Sequence, residues 1–215
     1  MGETQSILAV RHGQTEANRE RRLQGRSVNF SLNETGKNQI YRLGRYLCTH
    51  DLLPEIIVTS PLLRTMESAE VLGKPFSIPI EVCPDLAEID FGTLENYTMA
   101  DIEQLKSQFP HDEIYAGLNI NIRYPGGELV RDTQTRVVSA LKSVMFLYSS
   151  CSRILLMSHG GALRLLFSHL LKTDHIQPIY HSNAGLSIFE HEKEKDRFII
   201  RTLNTTSHLI DPCYA

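Results

Sequence analysis

Two apolar runs in this chain of 215 residues end in the same way, "SILAVRHG" at residues 6–13 and "RILLMSHG" at residues 153–160. Each is short and aliphatic, as a buried strand is, and each stops at His-Gly and runs into a helix. A third run, "EIIVTS", passes into "PLLRTMESAE", where Pro61 opens a helix and Arg64 falls on its first turn. In an open α/β sheet, the residues just past the C-terminal ends of parallel strands line the ligand crevice. Three strands therefore aim Arg11, His12, Arg64 and His159 at one place. Any one of them alone reads as a capping, packing or surface residue. The set does not.

The rest of the pattern supplies such a sheet. Ser6–Val10, Glu55–Thr59, Ile78–Val82, Arg153–Ser158, Gly185–Glu190 and Arg197–Leu203 are short apolar runs bounded by breakers, as strands are. Helical spacing covers Glu34–His50, Pro61–Leu72, Ala100–Gln108, Leu129–Leu147 and Ala162–Lys172. The alternation argues for a three-layer α/β fold: a mostly parallel sheet of about six strands with helices on both faces. One strand should be antiparallel, because "HEKEKD" leaves no room for a helical crossover between the last two. No repeat or linker divides the chain, so residues 1–215 read as a single domain. Phe91–Gly127 is the least regular stretch and reads as an inserted lid or specificity region.

Two arginines and two histidines together suit a tetrahedral oxyanion, because guanidinium forks match its oxygens in pairs and stay charged. A phosphoryl group is the natural occupant. Helix N-termini after Gly13 and Gly160 would add backbone N–H donors. Cations beside an imidazole disfavour its protonated form and leave a ring nitrogen free to attack. Metal binding is the rival use of histidine. The chain has no HExxH and no carboxylate at ligand spacing beside either histidine, and two arginines would repel a cation. Neither a metal nor an organic cofactor is expected.

Charged residues make up 22% of the chain, the net charge is −3 and the pI is near 6.3, so no basic stripe offers a nucleic-acid surface. The first apolar run is too short for a signal core or a membrane span. Cys48, Cys83, Cys151 and Cys213 are scattered without metal-like spacing. A cytoplasmic protein with reduced thiols is expected, acting on a small phosphorylated metabolite and on neither nucleic acid nor membrane. A homodimer is compatible with this reading. "MGETQS" fits the N-myristoylation pattern, but a strand starting near Ser6 leaves Gly2 little free tail, and Glu3 adds a negative charge. The match reads as accidental.

In that order and spacing, "RHGQTEAN", "SPLLRTMESAE", "LAEIDFG" and "MSHGG" resemble the histidine phosphatase superfamily, the family of phosphoglycerate mutases and histidine-dependent phosphatases. The resemblance runs from Ile7 to about Asn183. It implies that His12 accepts the phosphoryl group, while Arg11, Arg64 and His159 hold the phosphate oxygens and Asn18 adds a further contact. It implies that Glu88 protonates the leaving oxygen and then activates water. Gln24 and Gly25 in "LQG" and Asn183 in "SNAG" fall where the family lines its pocket. From the residues alone Asp90 competes with Glu88, since an extended segment points both the same way; the family pattern favours Glu88.

Departures from the family pattern concern shape. Asn29 and Ser31 follow "LQG", "LEN" at residues 94–96 replaces "WEG", and "GGEL" puts Leu129 where serine is common. Asn96 should tolerate the positive φ that glycine takes there. Between Leu94 and Gly127 the cations are Lys106 and Arg123, against Asp101, Glu103, Asp112 and Glu113, and the tail ends soon after the last strand. A mutase must shield its phosphohistidine from water. This lean insert therefore favours a phosphomonoester hydrolase over phosphoglycerate mutase-type transfer. A non-catalytic relative that only binds a phosphorylated ligand is the third reading, and the presence of every chemical group argues against it. Tyr115, Leu118, Ile120, Arg123 and Tyr124 are candidate specificity contacts.

Overall fold

A computed structural model of the chain describes residues 4–27, 30–105, 120–173 and 179–210. Its strands are β1 Thr4–Arg11, β2 Ile56–Thr59, β3 Ile80–Val82, β4 Arg153–Ser158, β5 Leu186–Glu192 and β6 Arg197–Thr205. Its α-helices are α1 Glu16–Arg19, α2 Glu34–Thr49, α3 Leu63–Gly73, α4 Met99–Leu105, α5 Val130–Leu147 and α6 Gly160–Leu170. The strands form one sheet in the order β3-β2-β4-β1-β5-β6. β3, β2, β4 and β1 are mutually parallel, and β5 runs antiparallel to both β1 and β6.

Alternation along β1 builds the three layers. Ile7 and Ala9 face one side, against Val137, Leu141 and Val144 of α5 and Leu163 and Phe167 of α6. Leu8 and Val10 face the other, against Ile40, Leu43 and Leu47 of α2 and Ala69 and Leu72 of α3. All four β1 residues are fully buried. Burying an aliphatic side chain of this size contributes roughly 1.5–3 kcal/mol, so the central strand is also the best anchored. Its C-terminal end is where Arg11 and His12 leave the sheet.

Local differences from the sequence expectation have local causes. Pro61 lies before α3, whose N-cap is Leu62; the Ser60 hydroxyl accepts the Leu62 N–H at 3.4 Å, and the chain stays extended one residue longer. The short helix α1 was not signalled by apolar spacing. It rests on a capping box in which Thr15 Oγ1 accepts the Asn18 N–H and Asn18 Oδ1 accepts the Thr15 N–H. Asn96 does take a positive φ, 70°, at the turn after Leu94. Leu129 caps α5 with no side-chain hydrogen bond. Phe91, Leu94, Ile120 and Tyr124 pack with Ile89, Val130 and Leu165 in a third apolar cluster. Among the described residues no helix is long and apolar enough to cross a membrane.

Candidate active site

The sheet register places the two histidines side by side. Arg11 pairs with Ser158 across β1 and β4, so the next residue of each strand, His12 and His159, emerges at the same level. Their ring centroids lie 5.3 Å apart. His12 Nδ1 is 2.7 Å from the Gly13 carbonyl oxygen. A carbonyl only accepts, so Nδ1 carries the proton and the neutral ring keeps its lone pair on Nε2. Burial, then the Arg64 and Arg11 guanidinium groups, hold this imidazole well below the usual histidine range. His159 is lowered in the same way, by burial first and then by Arg64 and His12. Its Nε2 meets Ser60 Oγ at 2.8 Å, while its buried Nδ1 has no partner among the described residues.

Arg64 enters from α3. Its Nη1 donates to the Ser27 carbonyl at 3.1 Å and its Nη2 to the Gly25 carbonyl at 2.7 Å. Burial pushes its pKa down to about 10, still far above neutral, so it stays a cation. Arg11 Nη1 donates to the His181 carbonyl at 2.7 Å, and burial lowers this arginine too. In both, the buried Nε–H has no partner among the described residues. A buried donor without an acceptor is costly. An oxyanion in the cavity that both arginines line would supply the acceptors.

Glu88 faces the same cavity. Its Oε1 accepts the N–H groups of Ile89 and Ala162 and its Oε2 that of Gly161, each at 2.9 Å. Asp90 goes elsewhere, because the segment is not an extended strand and alternation does not apply. Its Oδ1 closes a turn on the Gly92 N–H at 2.9 Å. The helix α6 thus presents its first free N–H groups to a carboxylate. This corrects the expectation that they face phosphate. The Gly13 N–H is likewise occupied, by Ser68 Oγ at 3.1 Å. Gly160 itself lines the cavity beside Arg11.

The family model for the histidine phosphatase superfamily (branch 1) matches residues 7–206 of this chain. The chain belongs to the histidine phosphatase superfamily. It is 31% identical over 205 residues to the phosphatase PhoE of Bacillus subtilis, covering 95% of this chain and 96% of that protein. It is 29% identical over 210 residues to the probable phosphoglycerate mutase GpmB of Erwinia tasmaniensis, covering 95% of each. The solved structure of Bacillus stearothermophilus YhfR has the same fold, with a TM-score of 0.84 at 28% identity over 96% of this chain and 100% of that one. As a member of this superfamily the chain is an enzyme of phosphoryl-group chemistry, in the phosphatase and phosphoglycerate mutase-like class.

In this histidine phosphatase, Asn18, Gln24 and Gly25 all line the cavity. Asn18 Oδ1 accepts from the Thr15 N–H and from Asn183 Nδ2, both at 3.1 Å. A backbone N–H only donates, which fixes the amide orientation and leaves the Asn18 NH2 as a donor. Asn183 is not on the cavity wall among the described residues. Its amide lies behind the nucleophile loop, donating to the His12 carbonyl at 3.2 Å and the Gly13 carbonyl at 3.4 Å. Its place is therefore that of a support for His12, where sequence alone put it on the pocket lining. Among the described residues no group of His, Cys, Asp and Glu side chains has the makings of a metal site.

The cavity has a volume of about 610 Å³ and extends well beyond the end that Arg11, His12 and Arg64 line. Leu23, Phe91, Ile102 and Tyr124 form an apolar wall, and Arg164, Tyr180 and His181 form a polar one. Of the candidate specificity contacts, Tyr124 is on this wall. Ile120 is packed in the third apolar cluster, and Arg123 turns outward, donating to the Gly127 carbonyl at 3.2 Å and pairing with Asp132 at 3.8 Å. Tyr115 and Leu118 lie outside the described residues. Sequence reasoning did not find Arg164 or His181. His181 immediately precedes "SNAG", and that adjacency was the available signal. Its ring meets Ser187 Oγ at 2.9 Å, and burial, then Arg11, pushes its pKa down to about 4.

Proposed function

We propose that the protein hydrolyses a small phosphorylated metabolite through a phosphohistidine intermediate. The observation that carries this reading is the His12 Nδ1 bond to the Gly13 carbonyl, which leaves Nε2 unprotonated inside a cavity rimmed by unpartnered donors. Nε2 attacks phosphorus, and the ester P–O bond breaks as the leaving oxygen takes a proton from the Glu88 carboxylic acid. Glu88 Oε1 accepts two N–H bonds and Oε2 one, so Oε2 has room for that proton. Arg11, Arg64, the His159 Nδ1 edge and the Asn18 NH2 hold the phosphoryl oxygens. The Glu88 carboxylate then takes a proton from water, whose oxygen attacks phosphorus and breaks the P–N bond. Inorganic phosphate leaves, and Glu88 and His12 return to their starting states.

The phosphatase name borne by PhoE supports hydrolysis as the outcome, while GpmB keeps phosphoryl transfer as the competing one. We place the enzyme in the cytoplasm, where the free thiols of Cys48, Cys83 and Cys151 stay reduced. The reading is tested by incubating the protein with phosphoglycerate and a bisphosphate primer. Free phosphate should accumulate, with an acid-labile phosphoryl group trapped on His12. Accumulation of an isomer instead would make the enzyme a mutase.

A further inference from the structure

We infer that Glu95 is a positioning residue for Arg64, acting through the turn at Gln24–Ser27. Glu95 Oε1 accepts the Arg26 N–H at 2.7 Å. Its Oε2 accepts the Ser27 N–H at 3.0 Å and the Ser27 hydroxyl at 2.6 Å. The carbonyls on the other side of the same turn hold Arg64, Gly25 at 2.7 Å and Ser27 at 3.1 Å. The Gly25 carbonyl and the Arg26 N–H belong to one peptide unit. A carboxylate and a guanidinium are therefore joined through a single planar peptide, whose dipole each of them polarises in the same sense.

The surroundings keep this chain of bonds in place. The Leu23 N–H donates to the Tyr97 carbonyl at 3.0 Å and the Asn96 N–H to the Leu23 carbonyl at 2.7 Å, so the two segments lie side by side. The turn closes with the Ser27 N–H on the Gln24 carbonyl at 3.1 Å. Gly25 has a φ of +52°, and a Cβ there would lie 2.0 Å from Glu95 Oε1, so no side chain fits between carboxylate and turn. Two Arg64 nitrogens are thus fixed by carbonyls, which sets the direction of the remaining N–H groups toward the cavity. Glu95 itself does not line that cavity among the described residues. It orients the phosphate grip without touching phosphate.

The inference rests on the phosphatase reading only in naming phosphate as the ligand of Arg64. Wild type, Glu95→Gln, Glu95→Asp, Arg64→Ala and the Glu95→Gln/Arg64→Ala double variant are compared. The readouts are calorimetric binding of inorganic phosphate, kcat/KM for an aryl phosphate, and melting temperature. Glutamine keeps the shape but has one acceptor oxygen, so Glu95→Gln should weaken phosphate binding roughly tenfold. Glu95→Asp, which keeps the charge and both acceptors, should lose less. In the Arg64→Ala background, Glu95→Gln should cost kcat/KM under about twofold, because its route is already gone. Phosphate affinity unchanged in Glu95→Gln overturns the inference, as does a full further loss in the double variant, or glutamine outperforming aspartate. Should Glu95→Gln fail to fold, Ser27→Ala removes one of the bonds and should weaken phosphate by roughly threefold; no change would overturn it. A wild type that binds phosphate but turns over no ester sinks the phosphatase reading and leaves this one standing. A wild type that binds no phosphate sinks both.

Discussion

Glu88 and Gly161 meet at 2.9 Å, carboxylate oxygen to backbone N–H, on the first turn of the helix that follows His159. The contact works because Gly161 has no side chain; a Cβ there would lie 2.5 Å from Glu88 Oε1. The second glycine of "HGG" thus seats the proposed acid, and the two chemical ends of the site are joined by one turn.

Gly161→Ala should displace the Glu88 carboxyl and mimic part of Glu88→Ala. Both variants should lose roughly 10²-fold or more on alkyl phosphates and far less on an aryl phosphate with a good phenolate leaving group, which needs no proton. Asp90→Ala should show no such leaving-group dependence. Parallel losses on both substrates in Glu88→Ala would remove its role as the acid.

His12→Ala should abolish hydrolysis of an aryl phosphate, and EDTA should leave the wild-type rate unchanged. A substantial residual rate in the variant, or inactivation by chelation, would refute a metal-independent histidine nucleophile.

The acid limb of the kcat/KM profile should lie well below pH 6.5, because burial and two guanidinium groups keep His12 neutral as the pH falls. A limb at the ordinary histidine value would contradict the environment described for this ring.

Stability should also fall with acid. His181 and His208 each ionise near 4 in the folded protein against 6.5 when unfolded, so the unfolded chain binds more protons between those values. Stability is full above about pH 6.5 and declines as the pH drops to about 4, by on the order of 3 kcal/mol from His181. Urea unfolding at pH 7 and pH 4.5 measures the loss, which His208→Gln should reduce.

The fold was legible because β1, β2 and β4 are short apolar runs with sharp ends, and ends are what position a crevice. Arg11, His12 and Arg64 reach one cavity, with His159 packed against His12, for that reason; Glu88 lines the same cavity from a loop after β3 and was told from Asp90 only through the family resemblance. What sequence could not convey is the side of a loop on which a residue sits. Asn183 is adjacent to the site and faces the back of His12. The N–H groups after Gly160 were plausible phosphate ligands until Glu88, remote in sequence, proved to cover them. Arg123 carries a charge suited to a substrate and spends it on Asp132. Such pairings are set by tertiary contact and leave no periodic trace.

The two ends of the cavity rest on different foundations. The end that holds Arg11 and His12, where we propose phosphate binds, hangs from the central strands, where Ile7 to Val10 are wholly enclosed. The far wall belongs to the separate cluster of Phe91, Leu94 and Tyr124. Mutation can therefore explore new leaving groups by remodelling that cluster while the bond-breaking apparatus keeps its geometry. Such a layout lets one scaffold diversify its diet without relearning its chemistry.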